Sequence, residues 1–385
     1  MKASADVVII GGGCMGASAA YHLARLGIGN IVLVEKEPML GMGSTGRNAG
    51  GVRHQFSSEA NVRLSIESIR TFERFEEEVG YPIDFWQDGY LFLLSTVENL
   101  RSFQTNANMQ RRLGVDVDVL SPGDVRHLLP ALRLDGVIGA TFCGRDGIAD
   151  PNGVTMGFAR AAQARGLEIY RNTEVIAIEC DNRGVCKVAT SRGDISTRVV
   201  VNAAGPNARA IGKMVNLDVP VLPYRRHIFI TEPLSDDQLP TTRMMVIDFE
   251  TTFYFHREGA GFLFGMSNPE EKPGFDTTVN WEFLEKVTRV ALKRVPRLGD
   301  AGIAHSWAGL YEMTPDAMPI ISAAREVEGY FIIAGFSGHG FQHCPAAGRI
   351  AAELITLGKV GDIDPSPFAF ERFDNGRTIT ESNVV

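Results

Sequence analysis

The sequence predicts an α/β protein in which one nucleotide-binding domain is interrupted twice by a second, strand-rich domain. Three observations carry that reading. The chain opens with an apolar run, Val7-Val8-Ile9-Ile10, then Gly11-Gly12-Gly13-Cys14-Met15-Gly16 and a helix-like stretch. The same nucleotide-binding texture returns in two later segments, and short apolar runs with Pro and Gly turns lie between them. The expected division gives residues 1–82, 146–218 and 320–385 to the nucleotide domain, and 83–145 and 219–319 to the second.

Each element has its reason. Val7 to Ile10 suits a parallel strand buried on both faces. Gly11 permits a tight turn, Gly13 lets backbone approach a pyrophosphate, and Gly16 lets the helix pack against the strand. That helix, about Gly16 to Leu26, has Cys14 and Met15 at its entrance and aims unpaired N–H groups at the phosphates. A second run, Ile31 to Val34, ends in Glu35, about 20 residues past the glycines, where a ribose hydroxyl is read. Lys36 follows it. With strand, turn, helix, strand and acid in order, the chain binds an adenine dinucleotide.

Beyond a Gly/Ser-rich loop from Gly41 to Gly51, Ser57-Ser58-Glu59 starts a helix predicted to run to about Glu78. Asp88-Gly89 is a turn before the apolar strand Tyr90 to Leu94. A charged helix near Thr96 to Leu113 follows, and Ser121-Pro122 marks another helix start. The second α/β stretch has a helix from about Asn152 to Arg165 and strands at 168–170, 173–179, 185–191 and 198–204. Val175, Ala204 and Gly205 from this stretch are expected at the cofactor. Alternating strands fill Val219 to Met266, a helix spans Trp281 to Arg294, and a strand at Tyr330 to Ala334 precedes a helix from about Pro345 to Leu357.

Composition narrows the classes. A chain of 385 residues, 44% hydrophobic and 22% charged, is ordinary for a globular protein of two or three folding units. A net charge of −8 and a pI near 5.6 argue against nucleic acid or an anionic membrane as main partner. No run is apolar enough for a membrane span. The N-terminus runs directly into the first strand, which leaves no room for a signal peptide. Five cysteines without metal-type spacing suggest free thiols in a reducing cytoplasm and no metal site.

Two further glycine loops extend the ligand. The first holds Ser44, Thr45, Arg47, Asn48, Ala49, Gly50, Gly51, Arg53 and His54. A simple nicotinamide site has no need of a second such loop; a longer ligand does. The other is Ala334-Gly335-Phe336-Ser337-Gly338-His339-Gly340-Phe341, whose N–H groups suit a polar ring edge that gains negative charge. Three loops meeting at one ligand favour FAD.

With these motifs the chain resembles the amine-oxidising flavoproteins that include sarcosine oxidase, glycine oxidase and D-amino acid oxidase. It is most similar to their β-subunit branch, typified by dye-linked L-proline dehydrogenase and heterotetrameric sarcosine oxidase. The matching stretches are the fingerprint, Gly50 to Phe56 with Glu59 to Arg63, Gly89 to Leu94, Trp307-Ala308-Gly309 with Thr314-Pro315-Asp316, and Gly335 to Phe341. They cover nearly the whole chain in order.

The resemblance implies a doubly wound, Rossmann-like FAD domain and an α+β substrate domain on a large mixed sheet, the flavin ring lying between them. It implies oxidation of the C–N bond of a proline- or sarcosine-like amino acid by hydride transfer to flavin N5, giving an imine. Arg53 falls where a substrate-carboxylate arginine belongs. Gln342 replaces the lysine that activates oxygen in family oxidases, so a dehydrogenase with a separate electron acceptor is expected. Gly309 stands where one relative carries a flavin-linked cysteine, so FAD is expected to be non-covalent. Ser267 replaces a substrate-site histidine. Tyr254 and Tyr311 are expected pocket walls. His54, His256, His339 and His343 are hydrogen-bonding partners near the flavin or substrate, with His54 counted at the reacting end. An α subunit or a homo-oligomer is a possible partner. A peroxide-forming oxidase and a non-catalytic assembly flavoprotein are the alternatives.

Overall fold

The computed structural model describes residues 1–235 and 242–385. Residues 236–241, inside the stretch read as alternating strands, lie outside the described residues.

A six-stranded sheet carries the nucleotide texture. Its order is Ile320–Ala323, Tyr330–Ala334, Val200–Asn202, Val7–Ile10, Ile31–Val34, Glu168–Tyr170. All neighbours are parallel except Ile320–Ala323. The apolar run read as a buried parallel strand is buried at every residue. Alternation then divides it. Val7 and Ile9 pack with the helices Cys14–Arg25 and Gly340–Leu357 on one face. Val8 and Ile10 pack on the other against the antiparallel sheet Val175–Asp181, Gly184–Thr190, Gly193–Ser196. Each such side chain contributes about 1.5–3 kcal/mol by leaving water.

The second sheet has eight strands in the order Ile303–Met313, Leu222–Thr231, Gly261–Met266, Phe253–Glu258, Met245–Asp248, Tyr90–Leu94, Gly139–Cys143, Asp118–Leu120. It is mixed: Met245–Asp248 runs parallel to Tyr90–Leu94, and the other pairs are antiparallel. Helix Trp281–Arg294 supplies Phe283, Val287 and Ala291 to a core with Phe229, Phe255 and Phe264.

Two helices differ from the sequence reading. The helix expected over 58–78 breaks at Arg74 into Glu59–Glu73 and Phe75–Val79, with Ser58 capping the first. The last helix starts at Gly340, not Pro345, which lies inside it. Proline favours the first turn because its missing N–H is unneeded there. Here the neighbouring Ala346 N–H also lies within reach of the Ser68 hydroxyl, 3.3 Å away. The consequence is functional: Phe341, Gln342 and His343 belong to the first turn of a helix.

Candidate cofactor and substrate site

A cavity of about 560 Å³ runs from the fingerprint to the large sheet. At one end, helix Cys14–Arg25 begins at Gly13 with no side-chain cap and no acid in its first turn, leaving positive N–H character facing the cavity. Glu35 is pinned there: Oε2 accepts the Gly12 N–H at 2.6 Å and Oε1 the Glu37 N–H at 2.8 Å. The second glycine loop ties both ends together. Thr45 Oγ1 accepts the Cys14 N–H at 3.1 Å. Ser44 Oγ donates to Leu310 O, Arg47 Nη1 donates to Ala308 O, and Trp307 Nε1 donates to Arg47 O.

The far end is aromatic and cationic. Tyr90, Tyr254, Tyr311, Arg53, Arg226 and Gln342 line it, with Val384 and Val385 from the C-terminal segment. Gln342 is buried, and its Oε1 accepts the Arg53 N–H at 2.6 Å. The Arg53 guanidinium lies 3.9 Å over the Phe56 ring and donates to Gln55 O and Asn383 O, both at 2.5 Å. Close packing depends on glycine: a Cβ at Gly338 would lie 2.2 Å from the Tyr311 ring, and one at Gly51 2.7 Å from the Tyr90 hydroxyl.

The FAD-dependent oxidoreductase model named DAO matches residues 6–354. The chain belongs to the DAO family of FAD-dependent oxidoreductases. Rat mitochondrial dimethylglycine dehydrogenase is 30% identical over 95% of this chain and 45% of its own length. The chain thus spans less than half of that relative. The sarcosine oxidase β subunit of Arthrobacter sp. is 28% identical over 100% of this chain and 95% of its own. The crystal structure of L-proline dehydrogenase from P. horikoshii superposes with a TM-score of 0.91 at 35% identity, covering 98% of this chain and 100% of that one.

The residues fit the family's cofactor. FAD needs an anion-compatible helix end, a long channel and close backbone approach, and the cavity provides each. Glu312 adds a buried, unpartnered Oε2 beside the cavity. Burial raises its carboxyl to about 7, with the Gly335 and Phe336 N–H groups opposing. The sequence reading missed Glu312, as it missed Arg226, Tyr90 and the C-terminal valines.

Of the residues predicted to bind the cofactor or to act in catalysis, all but Gly16, Gly50, Gly335 and His54 line this cavity. Gly16 sits behind it, where a Cβ would meet Gly11 O at 2.0 Å. Gly50 and Gly335 take positive φ in turns packed on Ala149 O and Thr314. His54, expected at the reacting end, is instead locked behind the wall. Its N–H and Nδ1 contact Asp146 Oδ1 at 2.9 and 2.6 Å. Cys143 brings a third donor atom within 4.8 Å of those two, in the residues expected to hold no metal. Ser267 also lies outside the cavity lining.

Two of the other histidines, His339 and His343, form a neutral hydrogen-bonded pair. His339 Nε2 donates to Ala317 O at 3.1 Å, leaving Nδ1 to accept from His343 Nδ1 at 3.3 Å, and Ser65 donates to His343 Nε2 at 2.9 Å. That proton assignment follows from the one carbonyl partner. Burial, then the nearby Arg53 charge, pulls His339 down to about 4; burial and His339 lower His343. His256 does not face the large cavity. It lines a separate one of about 200 Å³ with Trp86, Ile148 and Arg243.

Proposed function

We propose that this chain oxidises the C–N bond of a small secondary or α-amino acid carrying a carboxylate, and that its electrons leave to an acceptor other than oxygen. The observation that carries the reading is the far end of the cavity. It joins two guanidinium groups with three phenols, which suits an anionic group on a small apolar body. The names of the dimethylglycine dehydrogenase and L-proline dehydrogenase relatives agree with it, while the sarcosine oxidase β subunit agrees on the substrate class and not on the acceptor.

FAD supplies the two-electron acceptor when bound. The protein's part is to bind, orient and exclude water. Burial raises Tyr254 well above its ordinary value, and raises Tyr90 and Tyr311 too, so all three remain neutral phenols. His339 and His343 are neutral and already bonded to each other. None of these groups is poised as a base, which supports a substrate amine that arrives deprotonated. Gln342 presents an amide rather than a cation, with its oxygen engaged by the Arg53 N–H. That supports a dehydrogenase over an oxidase.

The proposed division, 1–82, 146–218 and 320–385 against 83–145 and 219–319, puts the reacting end where the two parts meet. The subunit character of the Arthrobacter relative supports a partner chain.

The test is anaerobic mixing of the FAD-loaded protein with N-methylglycine, N,N-dimethylglycine, L-proline, glycine and lactate. Bleaching of the flavin band by an amino acid, with fast dye reduction and slow oxygen use, is expected. Bleaching by lactate alone, or by nothing in a panel of amines, would overturn the reading. Oxygen use matching dye reduction would make it an oxidase.

A further inference from the structure

Arg225 and Arg226 are consecutive on strand Leu222–Thr231, so their side chains leave opposite faces of the sheet. Arg225 is neutralised. It contacts Glu271 Oε1 at 3.1 Å, pairs with Asp276 and donates to Thr278 O at 3.0 Å. Arg226 lines the cavity, as Ile228 does two residues on. Its Nη1 donates to Arg225 O at 3.0 Å, and its Nε is buried without a partner. Among the described residues no carboxylate is paired with it. Its guanidinium stands 5.1 Å from the Tyr311 ring centre.

Arg226 is half-buried, and a guanidinium whose Nε is shut off from water without a counter-ion is costly unless a ligand completes it. Burial lowers its pKa, and the phenols of Tyr311 and Tyr254 offset this only in part. Arg53 is the weaker candidate for an anion, because two backbone carbonyls already occupy its guanidinium. On Arg226 the Nε–Nη2 edge remains, and that edge is the fork that grips a carboxylate with two parallel hydrogen bonds.

We propose that Arg226, rather than Arg53, receives the substrate carboxylate, between the phenols of Tyr254 and Tyr311. Arg53 then acts as a positioning residue that joins Gln342, Gln55 and Asn383. This rests on the proposed carboxylate-bearing substrate and names the group that selects it.

The experiment uses the FAD-loaded protein and pyrrole-2-carboxylate, with pyrrole-2-carboxamide as its uncharged partner, read as perturbation of the flavin spectrum. The wild type is expected to respond to the acid and not the amide. Arg226→Gln is expected to weaken the acid about 10- to 100-fold, the size of a lost charge-assisted contact. FAD content should stay unchanged, and KM for substrate should rise more than kcat falls. Arg226→Lys keeps charge without the fork and should fall between the two; it also carries the test if Arg226→Gln loses FAD. Arg225→Gln should bind the probe as the wild type does. Equal affinity in wild type, Arg226→Gln and Arg226→Lys would overturn the assignment while leaving the proposed function intact. A wild type that ignores the acid and is reduced by no amino acid would overturn both.

Discussion

Glu381 should be worth about 3 kcal/mol through a tail that helps shape the substrate end. Its side chain is only 2% exposed, yet it meets six donors. Oε1 takes the Ser57 N–H, the Ser57 hydroxyl and the Asn383 N–H; Oε2 takes the Ser58 N–H, the Ser58 hydroxyl and Asn61 Nδ2. In Glu381→Gln the new NH₂ must face one of these sets. Hydroxyls can turn to accept from it, whereas two N–H donors on either side cannot. Each orphaned donor costs about 1–3 kcal/mol, so a loss near 3 kcal/mol is expected. At a chain of this size that is a fall of about 4 °C in Tm, from an unfolding entropy of about 2.1 cal/mol/K per residue. Burial raises the Glu381 pKa, but the hydrogen bonds from Ser57, Asn61 and Ser58 outweigh it and hold it below 4.5. A depressed folded pKa means stability present above about 4.5 and lost as pH falls through the lower folded value. The gap between wild type and variant should therefore narrow on acidification. The assays are thermal melting at neutral and acid pH, with amide hydrogen exchange at Ser57, Ser58 and Asn383. Unchanged melting and unchanged exchange at neutral pH would refute the reasoning.

Other outcomes follow from single contacts. Gly16→Ala places a Cβ 2.0 Å from Gly11 O; the purified protein should lack FAD, as its visible spectrum will show. Gly338→Ala combines a φ of +96° with a Cβ 2.2 Å from Tyr311; FAD should remain while the KM for substrate rises. Gln342→Lys should raise oxygen use relative to dye reduction, measured by reoxidation of the reduced protein. His339 is held near 4 when folded against 6.5 ordinarily. Unfolded chains therefore bind the extra proton first, and stability should fall as pH drops from about 6.5 towards 4. Replacing His339 by Gln should flatten that part of a stability–pH profile.

What could be read from the residues was mostly backbone logic. Gly11, Gly13 and Gly16 announce themselves because a turn, a close approach and a helix–strand contact each exclude a Cβ, and Gly16 in the structure is such a case. Helix Trp281–Arg294 and strand Tyr330–Ala334 came out at their predicted bounds for a similar reason, since their patterns are local. Pro345 misled because a proline inside a helix resembles one that starts it. Arg226 was invisible. In the pair Arg225-Arg226 sequence cannot say which side chain faces inward, because strand parity is set by pairing, here Arg226 opposite Gly309 and His227 opposite Met266.

His54 and Arg47 show the same limit from another side. Both stand in a loop whose composition points to a ligand, and each has one ring or guanidinium nitrogen engaged by protein: His54 Nδ1 on Asp146, Arg47 Nη1 on Ala308 O. Through Arg47 and Ser44 the loop is bonded to strand Ile303–Met313 of the large sheet, and through Thr45 to the first helix of the nucleotide-binding sheet. A residue type suited to ligand chemistry is equally suited to fastening two sheets across a cleft. A buried donor left without a partner separates the roles, and among the arginines that line the cavity Arg226, with its buried Nε left over, has one.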